Sequence, residues 1–319
     1  IIFIAFSSSL YFFIAAMKYD GFISVLIISY IKFLLYLFGL YASIEYVNKK
    51  SIIILLLIGA TTILLDSLFF RFNDVIGDGY INEYGRYSGF YLNPNIASMI
   101  CLLGYTLSIS IKSKWKVFAV FFTFFGILTL SRTFMVSWLV VTSVLIFYNR
   151  KVLLKLPFAI IAVFMVLTTF SKELKLDSTR FNFVTNLFSG TIDTKVLTDD
   201  SRQKKWMEYY DSISNSPILG NGYLSFVGEN DYHSQGVHNT FLLIIGEAGI
   251  LPFMLFLGFF IWYFKKSYNI VKFDLLPLLL TIILTIQFLV SHSFFNSGLM
   301  IFILISIIYR IKSRTLIND

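Results

Sequence analysis

Charged residues are scarce in this chain, because Asp, Glu, Lys and Arg make up only 14% of its 319 residues. A soluble domain carries roughly 25%, so the scarcity excludes an ordinary soluble protein. Hydrophobic residues reach 57%, and the mean hydropathy is +0.78. The apolar runs are continuous rather than alternating, which favours membrane-crossing helices over the strands of a barrel.

Cysteine is almost absent, since Cys101 stands alone inside an apolar run. No intramolecular disulfide can form, so a large loop outside the membrane has to hold together by packing. The sequence also lacks a glycine-rich phosphate loop, a nucleophile elbow and a dinucleotide-binding fingerprint. We therefore expect no cofactor.

Histidine is rare as well, and a metal site is not expected. Glu229, Asp231, His233 and His238 lie close together in the sequence. The His-x4-His spacing does not place both histidines on one helix face, and Gly236 interrupts the run. The sequence therefore does not indicate a metal site in this run.

Ten apolar segments are candidate membrane spans, several of them short enough to be tilted or broken. They cover residues 1–17, 22–47, 51–70, 93–111, 115–131, 133–149, 152–170, 239–264, 274–291 and 295–309. The expected fold is all-α, a polytopic transmembrane helical bundle forming one integral membrane domain over 1–319, with a long external loop at 171–238. Because Ile1 already lies in an apolar run, we expect further spans before it.

The net charge of +8 comes largely from short basic segments between the spans, so nucleic acid is not an expected partner. Of the 26 Lys and Arg residues, 14 lie in five segments, at 48–50, 112–116, 150–155, 265–272 and 310–314. With ten spans the five segments fall on one side, which the positive-inside rule assigns to the cytoplasm together with both visible ends. A single bent helix over 115–149 would reverse every later loop, and the charge pattern disfavours it.

The opposite side receives all three histidines and five of the eight arginines. Arginine offers a planar fork that suits phosphate, so this bias indicates an anion handled at the outer face. The alternative is that these arginines pair with acids of the same loops. The five are Arg71, Arg86, Arg132, Arg180 and Arg202.

A histidine stands at the start of one span, in the sequence His238-Asn239-Thr240. Asn and Thr are favoured helix caps, and the positive end of a helix favours a neutral imidazole that can accept a proton. His238 is therefore a candidate general base. Its alternative is a simple capping or hydrogen-bonding role.

Arginines next to helix starts form a second candidate group. Arg86 precedes Asn93-Pro94-Asn95, where Asn93 is a good cap and Pro94 a good first residue of a helix. Arg132 lies in the tight turn Ser131-Arg132. An anion could bind at such helix starts, whereas capping and solvation at the interface are the alternatives.

The long external loop carries the third candidate group. Arg202 leads a predicted amphipathic helix at 201–213, whose apolar face holds Trp206, Met207, Tyr210 and Ile213. Asn215-Ser216-Pro217 ends this helix, and Gly220-Asn221-Gly222 marks a turn. An external loop helix commonly carries basic residues, so Arg202 alone indicates little.

Lys32 and Glu247 lie well inside predicted spans, where a charge is costly and usually faces a partner or a wet cavity. Glu247 lies about two turns into the span 239–264 and could orient a neighbouring arginine. Lys32 falls near the middle of the span 22–47, and no partner for it can be named from the sequence.

Several of these motifs, spread over residues 86–264, resemble segments of the O-antigen ligase and polysaccharide polymerase family. They are Arg86 before Asn93-Pro94-Asn95, then Ser131-Arg132, Arg202-x3-Trp206, Pro217-x2-Gly220-x-Gly222, His238-Asn239 and Glu247-x-Gly249. The chain departs from the pattern at Gly249, which Ile-Leu-Pro follows instead of a second glycine. Its external loop is also on the short side for the family.

The resemblance implies a GT-C-like glycosyltransferase of the bacterial inner membrane. The donor would be an oligosaccharide on a polyprenyl pyrophosphate, such as undecaprenyl pyrophosphate, in the outer leaflet. The acceptor would be a sugar hydroxyl, and the reaction would invert the anomeric carbon without a metal ion. Membrane lipids, a flippase and a chain-length regulator are the further partners that the resemblance implies.

The resemblance also implies roles for single residues. His238 would take the proton from the acceptor hydroxyl, while Arg202 and Arg132 would hold the pyrophosphate and stabilise its developing charge. The remaining candidates for substrate binding are Arg86, Asn93, Asn95, Asn239, Trp206 and Glu247.

We expect a surface-polysaccharide (O-antigen or capsule) polymerase, because the small loop leaves little room for a bulky second acceptor. A ligase of the same fold is the near alternative. A transporter of a lipid-linked or anionic solute would suit Lys32 and Glu247, but no inverted repeat is visible and the polar residues cluster on one face. A scaffold protein would not explain the external arginines.

Overall fold

A computed structural model describes residues 1–70, 86–111, 114–149, 206–228 and 236–318 of the chain. All regular structure in these residues is helical, and no strand occurs among them. The α-helices in chain order are α1 (Ile2–Ala16), α2 (Ile23–Ser43), α3 (Lys49–Leu65), α4 (Pro94–Ser110), α5 (Phe118–Leu128), α6 (Arg132–Tyr148), α7 (Tyr210–Asn215), α8 (Thr240–Ala248), α9 (Ile250–Asn269), α10 (Leu276–Val290) and α11 (Gly298–Asn318). Short 3-10 segments lie at Ile44–Tyr46, Gly89–Tyr91, Lys114–Val117 and Phe294–Asn296, and a π-helical turn lies at Asp66–Phe70.

Within the described residues, three helical segments are long and apolar enough to cross a membrane, namely Ile23–Tyr46, Lys49–Phe69 and Ile250–Asn269. Helices α1, α4, α6 and α10 are shorter but also apolar. Nine of the ten predicted spans fall on described residues and each carries an α-helix, whereas the segment 152–170 lies outside them. The all-α prediction is therefore confirmed for the described residues. The count of ten spans and the GT-C-like arrangement stay predictions.

The chain divides into two compact units. We call Ile1–Tyr46 together with Lys195–Asp319 the terminal unit, and Val47–Thr194 the central unit.

In the central unit, α5 and α6 form a tight antiparallel hairpin around Ser131. The Gly126 backbone lies against the Phe134 ring, and the Trp138 indole N–H donates to Thr123 Oγ1 at 3.1 Å. Residues near the end of α5 thus face residues near the start of α6. Leu130 takes a positive φ of 45° to make the turn. This confirms the predicted turn and excludes a single bent helix over 115–149.

Helix α4 is the buried centre of the described part of the central unit, where it contacts α3, α5 and α6. Gly104 lets the Phe122 ring approach its backbone, and the Tyr105 hydroxyl lies 2.8 Å from Thr142 Oγ1. Cys101 is free and fully buried in the same helix. Because α4 is held on several sides, its N-terminus is fixed relative to the α5–α6 hairpin.

In the terminal unit, α1 packs against α2, α8 and α9, and α11 packs against α2 and α10. Aromatic rings fill the space beside the turn between α10 and α11. Tyr11 stacks on Phe295 with ring centroids 4.2 Å apart, and Phe33 meets Phe295 at 5.5 Å. This aromatic core holds in place the turn that also contains His292.

The predicted span 239–264 is broken, which the continuous apolar run did not predict. Helix α8 ends before Gly249, whose φ of 78° and ψ of −170° belong to a region that is essentially restricted to glycine. Carbonyl groups near the end of α8 would lose their helical partners at this break. The backbone N–H groups of Asn221 and Gly222 donate to Gly246 and Glu247 at 2.8 and 3.1 Å.

The loop 216–223 therefore completes the broken helix. Pro217 accepts the N–H of Ile250 at 2.9 Å, and Gly220 lies so close to the Glu247 backbone that a side chain would overlap it. The predicted turn at Gly220-Asn221-Gly222 is confirmed, with φ of 67° at Gly220 and 98° at Gly222. The motifs Pro217-x2-Gly220-x-Gly222 and Glu247-x-Gly249 thus interlock through their backbones.

Candidate functional site

His238 lies directly before the N-terminus of α8, as the sequence predicted. Asn239 caps this helix, since its side-chain oxygen accepts the N–H groups of Phe241 at 2.9 Å and Leu242 at 3.2 Å. His238 itself is half-buried and has a φ of 47°, in the left-handed region. The capping role of Asn239 is therefore observed directly. It fixes where α8 begins, and His238 is the residue immediately before the cap.

The backbone leading into His238 is held on both sides. Val237 donates its N–H to the Phe226 carbonyl at 3.1 Å and accepts the Trp206 indole N–H, also at 3.1 Å. Trp206, predicted to bind substrate, thus contacts the residue before His238. Tyr209 is fully buried beside Phe226, with ring centroids 4.7 Å apart. These contacts fix the path of the chain at His238.

The predicted apolar face of the helix at 201–213 was wrong within the described residues. Met207 and Tyr210 are 66% and 72% exposed, whereas Tyr209 is fully buried. Tyr209 keeps a right-handed helical backbone and accepts the N–H of Ile213 at 3.1 Å, so the side that packs contains Trp206, Tyr209 and Ile213 instead.

Sequence reasoning gave no role to His292, which the structure brings against His238. The two imidazole rings have centroids 4.9 Å apart, and His292 Nδ1 accepts the backbone N–H of His238 at 3.2 Å. Burial, followed by the neighbouring His238, lowers the pKa of His292 to about 4. His292 is therefore neutral near pH 7. Its place between two spans, on the same predicted side as His238, was the signal available in the sequence.

Glu247 is fully buried in α8, and its carboxylate accepts hydrogen bonds from other segments of the chain. The Tyr11 hydroxyl donates to its carboxylate, and the Phe226 N–H donates at 3.3 Å. The backbone N–H of Leu224 also donates to it. No arginine is among these partners in the described part of the chain, and an arginine partner outside that part stays a prediction. Glu247 ties α1 and the loop 216–228 to α8.

Replacing Glu247 by alanine should lower stability by about 3–5 kcal/mol, because a buried hydroxyl and two buried N–H groups lose their acceptor. Glu247→Gln keeps an acceptor oxygen and should lose much less. The measurement is the temperature at which the detergent-purified protein loses its monodisperse chromatographic peak. A stable Glu247→Gln variant that is inactive would instead support direct substrate binding by Glu247.

The central unit brings Arg86, Asn95 and Ser131 together, although they are distant in sequence. Arg86 is only 3% exposed, and its guanidinium donates to the Thr129 carbonyl and to Asn95 Oδ1, both at 3.4 Å. The Ser131 hydroxyl donates to the same Asn95 oxygen at 3.2 Å. Asn95 thus joins the start of α4 to the turn before α6.

Two capped helix starts therefore lie side by side in this unit. Asn93 caps α4 by accepting from Asn95 at 2.8 Å and Ile96 at 3.3 Å, and Ser131 caps α6 by accepting from Phe134 at 3.4 Å. Arg132 is the first residue of α6 and is exposed. Converging helix starts carry partial positive charge and suit an anion.

A buried aspartate, which the sequence analysis did not single out, holds the backbone next to Arg86. Asp66 accepts the N–H groups of Ser88 at 3.1 Å and Gly89 at 3.0 Å. The chain directly after Arg86 is therefore fixed to the end of α3.

Lys32 is exposed on α2, and its ammonium group lies 5.9 Å from the centroid of the Tyr36 ring. Arg202 lies outside the described residues, as do Arg71, Arg180, His233 and most of the external loop. The roles expected of Arg202 stay predictions.

Residues 117–257 match a family model described as O-antigen ligase. This segment of the chain is similar to that family. The matched segment includes Arg132, Arg202 and His238, whereas Arg86, Asn93 and Asn95 precede it. The match confirms the family resemblance and supports a membrane enzyme of the ligase and polymerase type that acts on lipid-linked saccharides. No curated protein and no solved structure matches the chain.

Proposed function

We propose that the protein is a surface-polysaccharide polymerase. It transfers an oligosaccharide from polyprenyl pyrophosphate to a sugar hydroxyl of another lipid-linked repeat unit. The acceptor oxygen forms a bond to the anomeric carbon while the bond from that carbon to the pyrophosphate breaks, and polyprenyl pyrophosphate leaves. The observation that carries the proposal is His238, held at the start of α8 inside the segment that matches the O-antigen ligase family model.

In this proposal His238 accepts the proton of the attacking hydroxyl. The support is its position, because the start of α8 favours a neutral imidazole and the preceding backbone is fixed by Trp206 and Phe226. A general base has to be held within hydrogen-bond reach of the proton it removes. Trp206 and Asn239 therefore contribute by holding the base as well as by any contact with substrate.

The pyrophosphate is assigned to arginines. Arg132 is exposed at the start of α6, and Arg86, Asn93 and Asn95 build the neighbouring start of α4. A planar guanidinium at a helix start can bind two phosphate oxygens and stabilise the charge that develops as the leaving group departs. Arg202 completes the assignment on the basis of the family motif.

The proposed orientation puts His238 at the outer face of the bacterial inner membrane. Arg310 pairs with Asp274 at 2.6 Å, and the Lys312 ammonium donates to the Tyr41 hydroxyl at 3.4 Å. The basic segment 310–314, which is predicted to be cytoplasmic, thus contacts the residue just before α10 and a residue near the end of α2. The His238 and His292 pair lies at the opposite ends of α10 and α11, which supports this assignment.

Deleting the gene and restoring it on a plasmid tests the reaction. We expect the surface-glycan ladder on a gel to collapse to a single repeat unit in the deletion strain and to return with the wild-type gene. The family description favours a ligase as the second candidate, for which polymer would persist without attachment to its anchor. A ladder that the deletion leaves unchanged would contradict both reactions. Repeat units trapped on the cytoplasmic side would favour a transporter.

A further inference from the structure

The backbone conformation of His238 needs support. Its φ of 47° lies in the left-handed region, which costs a residue other than glycine on the order of 1–2 kcal/mol. Such a conformation persists when the surroundings over-determine it, and it is common at functional sites. The contacts that fix the His238 backbone therefore contribute to the function of its side chain.

His292 supplies one of these contacts. Its Nδ1 accepts the His238 N–H at 3.2 Å, and the neighbouring Ser291 carbonyl accepts the Thr240 hydroxyl at 2.6 Å. The turn after α10 is thus bonded to the residues on both sides of Asn239. A change of backbone conformation at His238 would therefore disturb one or both of these bonds.

The orientation and proton position of the His292 ring follow from the same contacts. A ring nitrogen that accepts a hydrogen bond carries no proton, so a neutral His292 has its proton on Nε2. The Gly236 backbone lies so close to the His292 ring that a β-carbon on Gly236 would be 2.8 Å from Cε1. His292 therefore has its acceptor nitrogen engaged and its other nitrogen protonated, which leaves it no lone pair with which to act as the base.

We propose that His292 is a positioning residue, which accepts the His238 backbone N–H and thereby fixes the direction of the His238 imidazole toward the acceptor hydroxyl. This inference rests on the proposed function of His238 as the base. The two histidines then have different roles, because His238 accepts the proton and His292 holds His238 in position. A small displacement of a reacting group can cost about 10²-fold in rate, so the bond has a measurable consequence.

Two replacements of His292 separate the acceptor from the bulk of the side chain. Asn Oδ1 stands two bonds beyond Cβ, as His Nδ1 does, whereas Leu has a methyl group there and accepts no hydrogen bond. The assay uses membranes and the lipid-linked saccharides that accumulate in the deletion strain, with activity normalised to the protein in a monodisperse peak. We expect kcat to fall about 10- to 100-fold for His292→Leu with KM little changed. His292→Asn should keep most of the wild-type rate.

Three results would overturn the inference. Equal loss in His292→Asn and His292→Leu would show that the acceptor is not what matters. Full activity in both, with His238→Asn inactive, would remove His292 from the mechanism and leave the proposed function intact. Full activity of His238→Asn would sink the inference together with the proposed function. If His292→Leu does not accumulate, His292→Phe replaces it, because that variant keeps a ring and lacks the acceptor.

Discussion

Membranes carrying His238→Asn are expected to convert lipid-linked saccharides about 10²–10⁴-fold more slowly than wild-type membranes, the loss typical of a missing general base. Asparagine is the informative replacement, because it tolerates the left-handed backbone that His238 adopts and cannot act as a base near pH 7. His238→Ala should be equally inactive and slightly less stable. The difference in stability between the two variants reports the backbone strain separately from the chemistry.

The measurement for His238 is the initial rate of polymer or transfer product per amount of folded protein. Ser214→Ala is the matched control, since Ser214 is exposed on α7 in the same unit and its hydroxyl donates locally to the Asp211 carbonyl. It should keep the wild-type rate. A His238→Asn rate within a few-fold of wild type would contradict the base assignment.

Local patterns in the sequence predicted the helices and their starts. Apolar runs marked each described helix of membrane type, and Asn93 and Asn239 were recognised as caps because the residues they bond are their own near neighbours. The turn at Ser131 was predicted from charge, since an unbroken helix would have reversed the positive-inside pattern. Each of these features depends either on residues close together in the chain or on the total charge of the loops on each side of the membrane.

Long-range partners were beyond the sequence. Glu247 bonds Tyr11, which lies 236 positions away, and His238 bonds His292 across 54 positions. No periodicity links such residues, because the folded chain alone decides which of many polar groups meet. The break at Gly249 was missed for the same reason. An apolar run favours a continuous helix unless another segment supplies hydrogen bonds at the break, and here the loop 216–223 supplies them.

The second large effect is expected at Arg132, where Arg132→Ala should lower kcat about 10²–10³-fold, as removal of one group that stabilises a developing charge commonly does. The side chain is exposed at the first residue of α6, so its loss leaves the α5–α6 packing through Gly126 and Phe134 intact. The effect should therefore appear in rate and not in the temperature at which the purified protein aggregates.

Two further variants decide what Arg132 supplies. Lys116→Ala removes one positive charge from the opposite end of the same hairpin, where Lys116 is exposed, and it should keep the wild-type rate. Arg132→Lys keeps the charge but lacks the planar fork, so an intermediate rate is expected if two phosphate oxygens are held at once. A wild-type rate for Arg132→Lys would mean that charge alone is needed. A wild-type rate for Arg132→Ala would contradict the pyrophosphate assignment, and the anion would then have to be sought at Arg86 and Arg202.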